Sequence, residues 1–112
     1  MAIQASINPA AFIKTPLNAV LTNQTSAVWI NYEVNSVVQA SIVGTGAVSA
    51  TVTIYGNINN TTTGGVSLAA LSLTGTTTDV KGAVIVGAYP YLYAVLTNIS
   101  GTGAAVTLLA SS

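Results

Sequence analysis

The chain has 112 residues, of which 51% are hydrophobic and only 4% are charged, and it contains neither histidine nor cysteine. The lack of histidine and cysteine excludes the common metal sites, cysteine nucleophiles and Ser-His-Asp triads, and two lysines without arginine exclude nucleic acid and an anionic membrane surface as partners. Globular domains carry about a quarter charged residues, so this chain lacks the charged coat that keeps monomers apart in water, and we expect an assembling protein.

The first sixteen residues differ from the rest and are predicted to form an N-terminal arm or short helical turn, residues 1–16. Asn8 followed by Pro9 is a helix-start signal, and Thr15 followed by Pro16 ends the helix after about one turn. Phe12 and Ile13 are candidate contact residues. Two interpretations are open: the arm lies across a neighbouring subunit, or the two side chains cap one end of this chain's own sandwich.

The remaining residues, 17–112, are predicted to form one all-β domain. Short β-type runs alternate with turns rich in Gly, Asn, Thr and Ser, which is typical of a single antiparallel β-sandwich or jelly roll of about eight short strands. Within 48–55, Val, Ala and Ile alternate with Ser, Thr and Tyr, which predicts an inward face and a threonine-coated outside. The predicted strands are 17–22, 27–32, 36–43, 48–55, 66–73, 83–86, 91–99 and 104–110.

Three glycine-containing stretches are predicted to be turns, and one polar stretch a longer loop. The Gly-Thr-Gly motifs at 44–46 and 101–103 each stand between two strand patterns, which predicts two similar hairpins. The stretch 74–81 contains Asp79 and Lys81 and is predicted to be an exposed loop. The Asn- and Thr-rich stretch 56–65 predicts a loop of about ten residues.

The aromatic residues supply the other candidate contacts. Tyr89, Tyr91 and Tyr93 would share one face of a strand. Three interpretations are open for them: contact with another subunit or a scaffold, packing under a loop of the same chain, or binding of a sugar ring. Trp29, within residues 27–31, alternates as a core residue does.

The acidic residues do not indicate catalysis. Glu33 and Asp79 are the only carboxylate side chains, they lie far apart in the sequence, and no nearby residue tunes either of them. No loop holds the several acidic ligands that a calcium site needs. We therefore expect a protein without enzymatic activity, metal or cofactor.

Two stretches of the chain carry a resemblance to known proteins. In residues 41–57 a Gly-Thr-Gly motif leads into a Thr/Val strand, and in residues 86–107 a Tyr-Pro-Tyr strand ends in a second Gly-Thr-Gly motif. With the polar loop between them, these stretches resemble small β-sandwich structural proteins of tailed bacteriophage virions over about the last two-thirds of the chain. The resemblance implies a head decoration or cement protein, or a fibre component, usually trimeric and docked on a capsid lattice.

We therefore expect a virion protein that is assembled in the host cytoplasm and lies on the capsid surface. It would stabilise the shell by bridging neighbouring subunits, with the major capsid protein or other virion proteins, and further copies of itself, as partners. A homo-oligomer, with a trimer favoured, is part of this expectation. The alternatives are a carbohydrate-binding or receptor-binding module of a fibre, which would use the three tyrosines, and a surface-layer or pilus-like subunit.

Overall fold

The computed structural model describes residues 13–31, 35–86 and 89–111. These residues form seven antiparallel strands and no helix, which confirms the predicted all-β class. The strands are β1 (Ile13–Val20), β2 (Gln24–Thr25), β3 (Trp29–Ile30), β4 (Asn35–Asn57), β5 (Val66–Gly75), β6 (Thr78–Val86) and β7 (Tyr91–Ser111).

Two long strands, β4 and β7, run through both layers of the fold. The first half of β4 pairs with β6 and with the last part of β7, and its second half pairs with β5 and with the first part of β7. β1 adds to the last part of β7, and β2 and β3 add to its first part. We call the layer with β1 and β6 the front sheet and the layer with β2, β3 and β5 the back sheet.

The core lies between the two sheets and is built from even-numbered positions of the long strands. Val38 and Ile42 of β4 in the front sheet are fully buried, and so is Val52 of β4 in the back sheet. Leu92 and Leu108 of β7 are also fully buried, and all five belong to one hydrophobic cluster. A single open sheet would leave one side of these residues in water, so the complete burial is that of a sandwich.

The two Gly-Thr-Gly motifs lie inside β4 and β7, and the prediction of two hairpins is wrong. Thr45 of the first motif pairs with Thr102 of the second, and the pairing register shifts on both sides of this pair. Gly46, Gly101 and Gly103 have positive φ angles. Such register shifts bend a strand. The motifs therefore form one shared bend, at which β4 and β7 pass together from the front sheet to the back sheet.

Three further boundaries differ from the prediction. β6 begins at Thr78, so residues 78–81 of the predicted loop belong to a strand. The predicted strand 27–32 is reduced to β3, with Trp29 buried as its alternation predicts. β1 begins at Ile13 and pairs with β7, so residues 13–16 of the predicted arm belong to the sheet. The rest of that arm, residues 1–12 with the helix-start signal and Phe12, lies outside the described residues.

Gly101→Ala is expected to lower the free energy of unfolding by about 3 kcal/mol, through backbone strain and overpacking together. Gly101 has a φ of 120°, and an added Cβ would lie 2.6 Å from the carbonyl oxygen of Ala47. Urea unfolding measures the loss. The matched control is Gly46→Ala, where φ is also positive but the added methyl meets open space, so about 1–2 kcal/mol is expected. Equal losses would contradict the close packing at the bend.

Candidate functional site

The outward surface of the front sheet is apolar and uncharged. Residues directly opposite each other on antiparallel strands share a face, and the pairing places Val84 beside Val37 and Leu109 beside Gln39 on this surface. We call it the valine face. Its exposed apolar residues are Ile13, Val37, Val43, Val80, Val84, Val86 and Leu109.

The extent of this apolar surface is what makes it a candidate site. Val84 is 60% exposed and Val86 is 70% exposed, and their neighbours on the face are exposed to similar degrees. A single exposed valine is ordinary in a soluble protein. Seven such side chains on one face, with only uncharged polar residues such as Gln39 and Ser41 among them, make a larger apolar surface, which is typical of an interaction surface.

The outward surface of the back sheet has a different chemistry. It presents hydroxyl groups, since Thr51 pairs with both Ser72 and Thr97, and Ser49 pairs with Thr74. We call this surface the threonine face; its hydroxyl residues are Ser49, Thr51, Thr53, Ser72, Thr74 and Thr97. The predicted threonine-coated outside is thus present on one sheet only.

The valine face arises because the front-sheet strands are apolar on both sides. Their sequences contain adjacent apolar residues instead of strict alternation, such as Val37–Val38 and Leu108–Leu109. One residue of each pair lies in the core and the other faces outward. Sequence reasoning named none of the valines as contact residues, although this doubling of apolar positions within short strands was the signal that would have found them.

The charged residues that the structure describes all lie on the two edge strands of the front sheet. Lys14 of β1 pairs with Ala110, and Asp79 and Lys81 of β6 pair with the core positions Ile42 and Ala40 of β4. Residues paired in this way share a face, so the three charged side chains are on the core side of their strands. The valine face lies on the opposite side of these strands and therefore contains no charged side chain among the described residues.

Asp79 fixes the turn between β5 and β6. Its carboxylate accepts hydrogen bonds from the backbone nitrogens of Thr74 at 2.8 Å and Val80 at 2.9 Å, and from Nζ of Lys81 at 2.9 Å. The hydrogen bond from Thr74, followed by that from Lys81, lowers the pKa of Asp79 below its ordinary value of 3.8. The carboxylate of Asp79 thus ties the start of β6 to the end of β5.

A shallow groove of about 140 Å³ lies at the end of the valine face where β7 ends. Ile13, the first described residue, lines this groove together with Val37 and Leu109. The predicted contact residue Ile13, 47% exposed, therefore belongs to the valine face. Phe12 lies outside the described residues.

Tyr91 and Tyr93 are two residues apart on β7 and share a face, but Tyr89 does not, so the prediction that all three share one face is wrong. A Cβ on Gly56, a core-facing position of β4, would lie 2.7 Å from Cγ of Tyr89, so Tyr89 is on the core side of the sheet. Tyr93 pairs with Tyr55 on the opposite side. Tyr91 is partly exposed. The three rings therefore do not form a continuous aromatic platform.

Tyr93 is packed inside its own chain and is only 4% exposed. Its ring meets that of Tyr55 edge to face at a centroid distance of 5.1 Å. Its hydroxyl accepts a hydrogen bond from the backbone nitrogen of Gly65 at 3.2 Å, and a Cβ on Gly65 would lie 2.6 Å from the hydroxyl oxygen. Of the three interpretations given for the tyrosines, packing under a loop of the same chain is the one that applies to Tyr93.

The loop that covers Tyr93 is held by Asn57. The side-chain amide of Asn57 donates hydrogen bonds to the carbonyl oxygens of Thr63 at 3.0 Å and Thr61 at 3.4 Å, and its oxygen accepts one from the backbone of Asn59. Such side-chain to backbone bonds replace the strand pairing that a loop lacks. This polar loop is therefore an ordered part of the back sheet.

The described residues offer no alternative site of a familiar chemical kind. They contain no group of three side chains that could hold a metal ion. Among them there is also no helix long and apolar enough to cross a membrane. The valine face is the candidate that the geometry favours.

No protein-family model matches the chain, and no curated protein does.

Asp79→Asn is expected to flatten the dependence of stability on pH in the acid range. Because folding lowers the pKa of Asp79, its contribution to stability is fully present above pH 3.8 and is lost as the pH falls through the folded-state pKa. Urea unfolding of wild type and variant between pH 6 and pH 2 measures this. The two should differ at pH 6 and converge at pH 2; a constant difference would contradict the role of the carboxylate.

Tyr93→Phe is expected to lower the free energy of unfolding by about 1 kcal/mol, because the backbone nitrogen of Gly65 loses its acceptor. Tyr91→Phe is the matched control and removes the same atom from a partly exposed ring, so a change within about 0.5 kcal/mol is expected. Thermal unfolding of both variants measures the difference. A larger effect at Tyr91 would show that the loop is not held through Tyr93.

Proposed function

We propose that the chain is a non-enzymatic structural protein of a virion, a decoration or cement protein that stabilises the capsid shell. The observation that carries the proposal is the valine face, an exposed and mainly apolar surface that holds none of the described charged residues, Lys14, Asp79 and Lys81. The resemblance of the chain to small β-sandwich proteins of tailed phage virions suggests the kind of assembly to which it belongs. The valine face supplies a surface that such an assembly would cover.

In the proposed mechanism, the chain stabilises the shell by adding buried interface between neighbouring subunits. Each copy covers apolar and hydroxyl-bearing surface when it joins neighbouring subunits, and this covered surface must be exposed again before the shell can open locally. Burying a charge without an ideal partner costs several kcal/mol. A face made of valine, leucine, serine and glutamine avoids that cost, because no ion has to be desolvated.

The proposal places the protein on the capsid surface, with the major capsid protein and further copies of the chain as partners. The sugar-binding alternative has less support. It needs aromatic rings side by side on an accessible surface, whereas Tyr89 lies on the core side of the sheet and Tyr93 is buried under the loop.

The test is reconstitution on shells assembled from the major capsid protein encoded in the same genome. We expect the wild-type chain to sediment with these shells and to raise the temperature at which they open. V84D is expected to weaken sedimentation by about tenfold or more, because a carboxylate would be buried without a partner. S72D, which places the same group at an exposed position of the threonine face, is the matched control and should bind as the wild type does.

Two results would contradict the proposed function or the role of the valine face in it. If the wild-type chain does not sediment with the shells, the proposed function is wrong. If V84D binds as well as S72D while both variants unfold at similar temperatures, the valine face is not the surface that is covered.

A further inference from the structure

We propose that the valine face of one chain packs on the valine face of a second copy, with a two-fold axis between them. This deepens the proposed function by naming the partner of the face. It rests on that function in one respect, since both require the valine face to be covered in the assembled protein. The pair attaches to the shell as a unit through its other surfaces, so V84D weakens both the pairing and the attachment.

The size of the face matches what a stable pair needs. The front sheet has four adjacent strand segments, namely β1, the last part of β7, the first half of β4 and β6, and β6 has nine residues. With strands about 4.8 Å apart and a rise of about 3.3 Å per residue, the face measures about 19 by 30 Å. Because β1 and the last part of β7 are shorter than β6, two such faces bury about 1,000 Å², which reaches the lower size expected of a biological interface.

The chemistry of the face is complementary to itself. Its polar positions are amide and hydroxyl groups, such as Gln39 and Ser41, which both donate and accept hydrogen bonds. Its apolar positions are mainly valines, whose short, branched side chains interdigitate when two sheets pack about 10 Å apart. A second copy brings no charge to this surface, whereas most protein surfaces would do so.

β-proteins also associate by adding strands to the edges of their sheets, and both edges of the front sheet disfavour this. β1 carries Pro16, which has no N–H to donate, and its pairing with β7 has two register shifts. β6 is regular over nine residues, but Asp79 and Lys81 lie on the core side of its open edge. Bulges, proline and inward-pointing charges all block the addition of a strand at an edge. The front sheet is therefore expected to associate through the valine face and not through its edges.

The symmetry follows from the use of one surface. A surface that binds its own copy makes an isologous contact, which closes at two chains. A ring of three needs two different surfaces on each chain, and the two edges of the front sheet, which could supply them beside the valine face, are blocked. The pair then presents two threonine faces outward, one from each copy.

Sedimentation equilibrium of the purified chain, without any shell, tests the pairing. We expect a mass of about 22 kDa, twice the 11.2 kDa of the chain, and a dissociation constant raised tenfold or more by V84D and by V37D. S72D should dissociate as the wild type does. Circular dichroism and thermal unfolding of each variant show that the sandwich is retained.

The absence of native cysteine allows a second, independent measurement. Gln39→Cys and Ser41→Cys each place one thiol near the middle of the valine face, and Ser72→Cys places one on the threonine face. Under oxidising conditions we expect a disulfide-linked dimer from at least one of the first two variants and a lower yield from the third.

Several outcomes would overturn the pairing: a monomer at all concentrations, a trimer, a dimer insensitive to V84D and V37D, or preferential cross-linking through Ser72→Cys. A dimer that is lost on deletion of residues 1–12 but withstands V84D would assign the contact to the arm instead. A monomer that still binds shells through a V84D-sensitive contact would overturn the pairing alone. A dimer that never binds shells would overturn the proposed function alone.

Discussion

The fold depends on the pairing of Thr45 with Thr102 at the shared bend of β4 and β7. Because both long strands turn at the same place, each stays paired with the other while it passes from one sheet to the next. Glycines with positive φ, such as Gly101, allow the two backbones to approach closely there. The sandwich therefore has the same two strands in the middle of both layers, and all other strands add to their outer edges.

This arrangement explains why the two outward faces are chemically separate. Odd-numbered residues of β4 face outward in both sheets, but the valines before the bend, Val37 and Val43, are replaced after it by threonines, Thr51 and Thr53. The bend thus divides one strand into two surfaces with different partners. The charges, which would interfere with either surface, are kept at the edges of the front sheet.

The sequence predicted the local structure better than the pairing. The alternation in residues 48–55 correctly assigned inward and outward side chains, and Trp29 is buried as expected. The bend was misread because a Gly-Thr-Gly motif permits either a hairpin or a bulged strand, and only the distant partner strand decides between them. Asp79 and Lys81 were assigned to a loop because they follow the glycine turn at Gly75 and lie close together, yet the threonines and valine around them favour strands. The valine face needed knowledge of which strands are neighbours, which no local pattern contains.

The central position of β7 also governs how the chain reaches its native state. β7 is the last described strand along the chain, yet it is an inner strand of both sheets, so neither sheet can close until residues 91–111 have been made. Pairings between residues so distant in sequence form slowly. During that interval the first half of β4 exposes the apolar residues on both of its sides. Because the chain has few charges, there is little repulsion to keep unfinished chains apart. The molecule is thus most prone to aggregation while it is being synthesised.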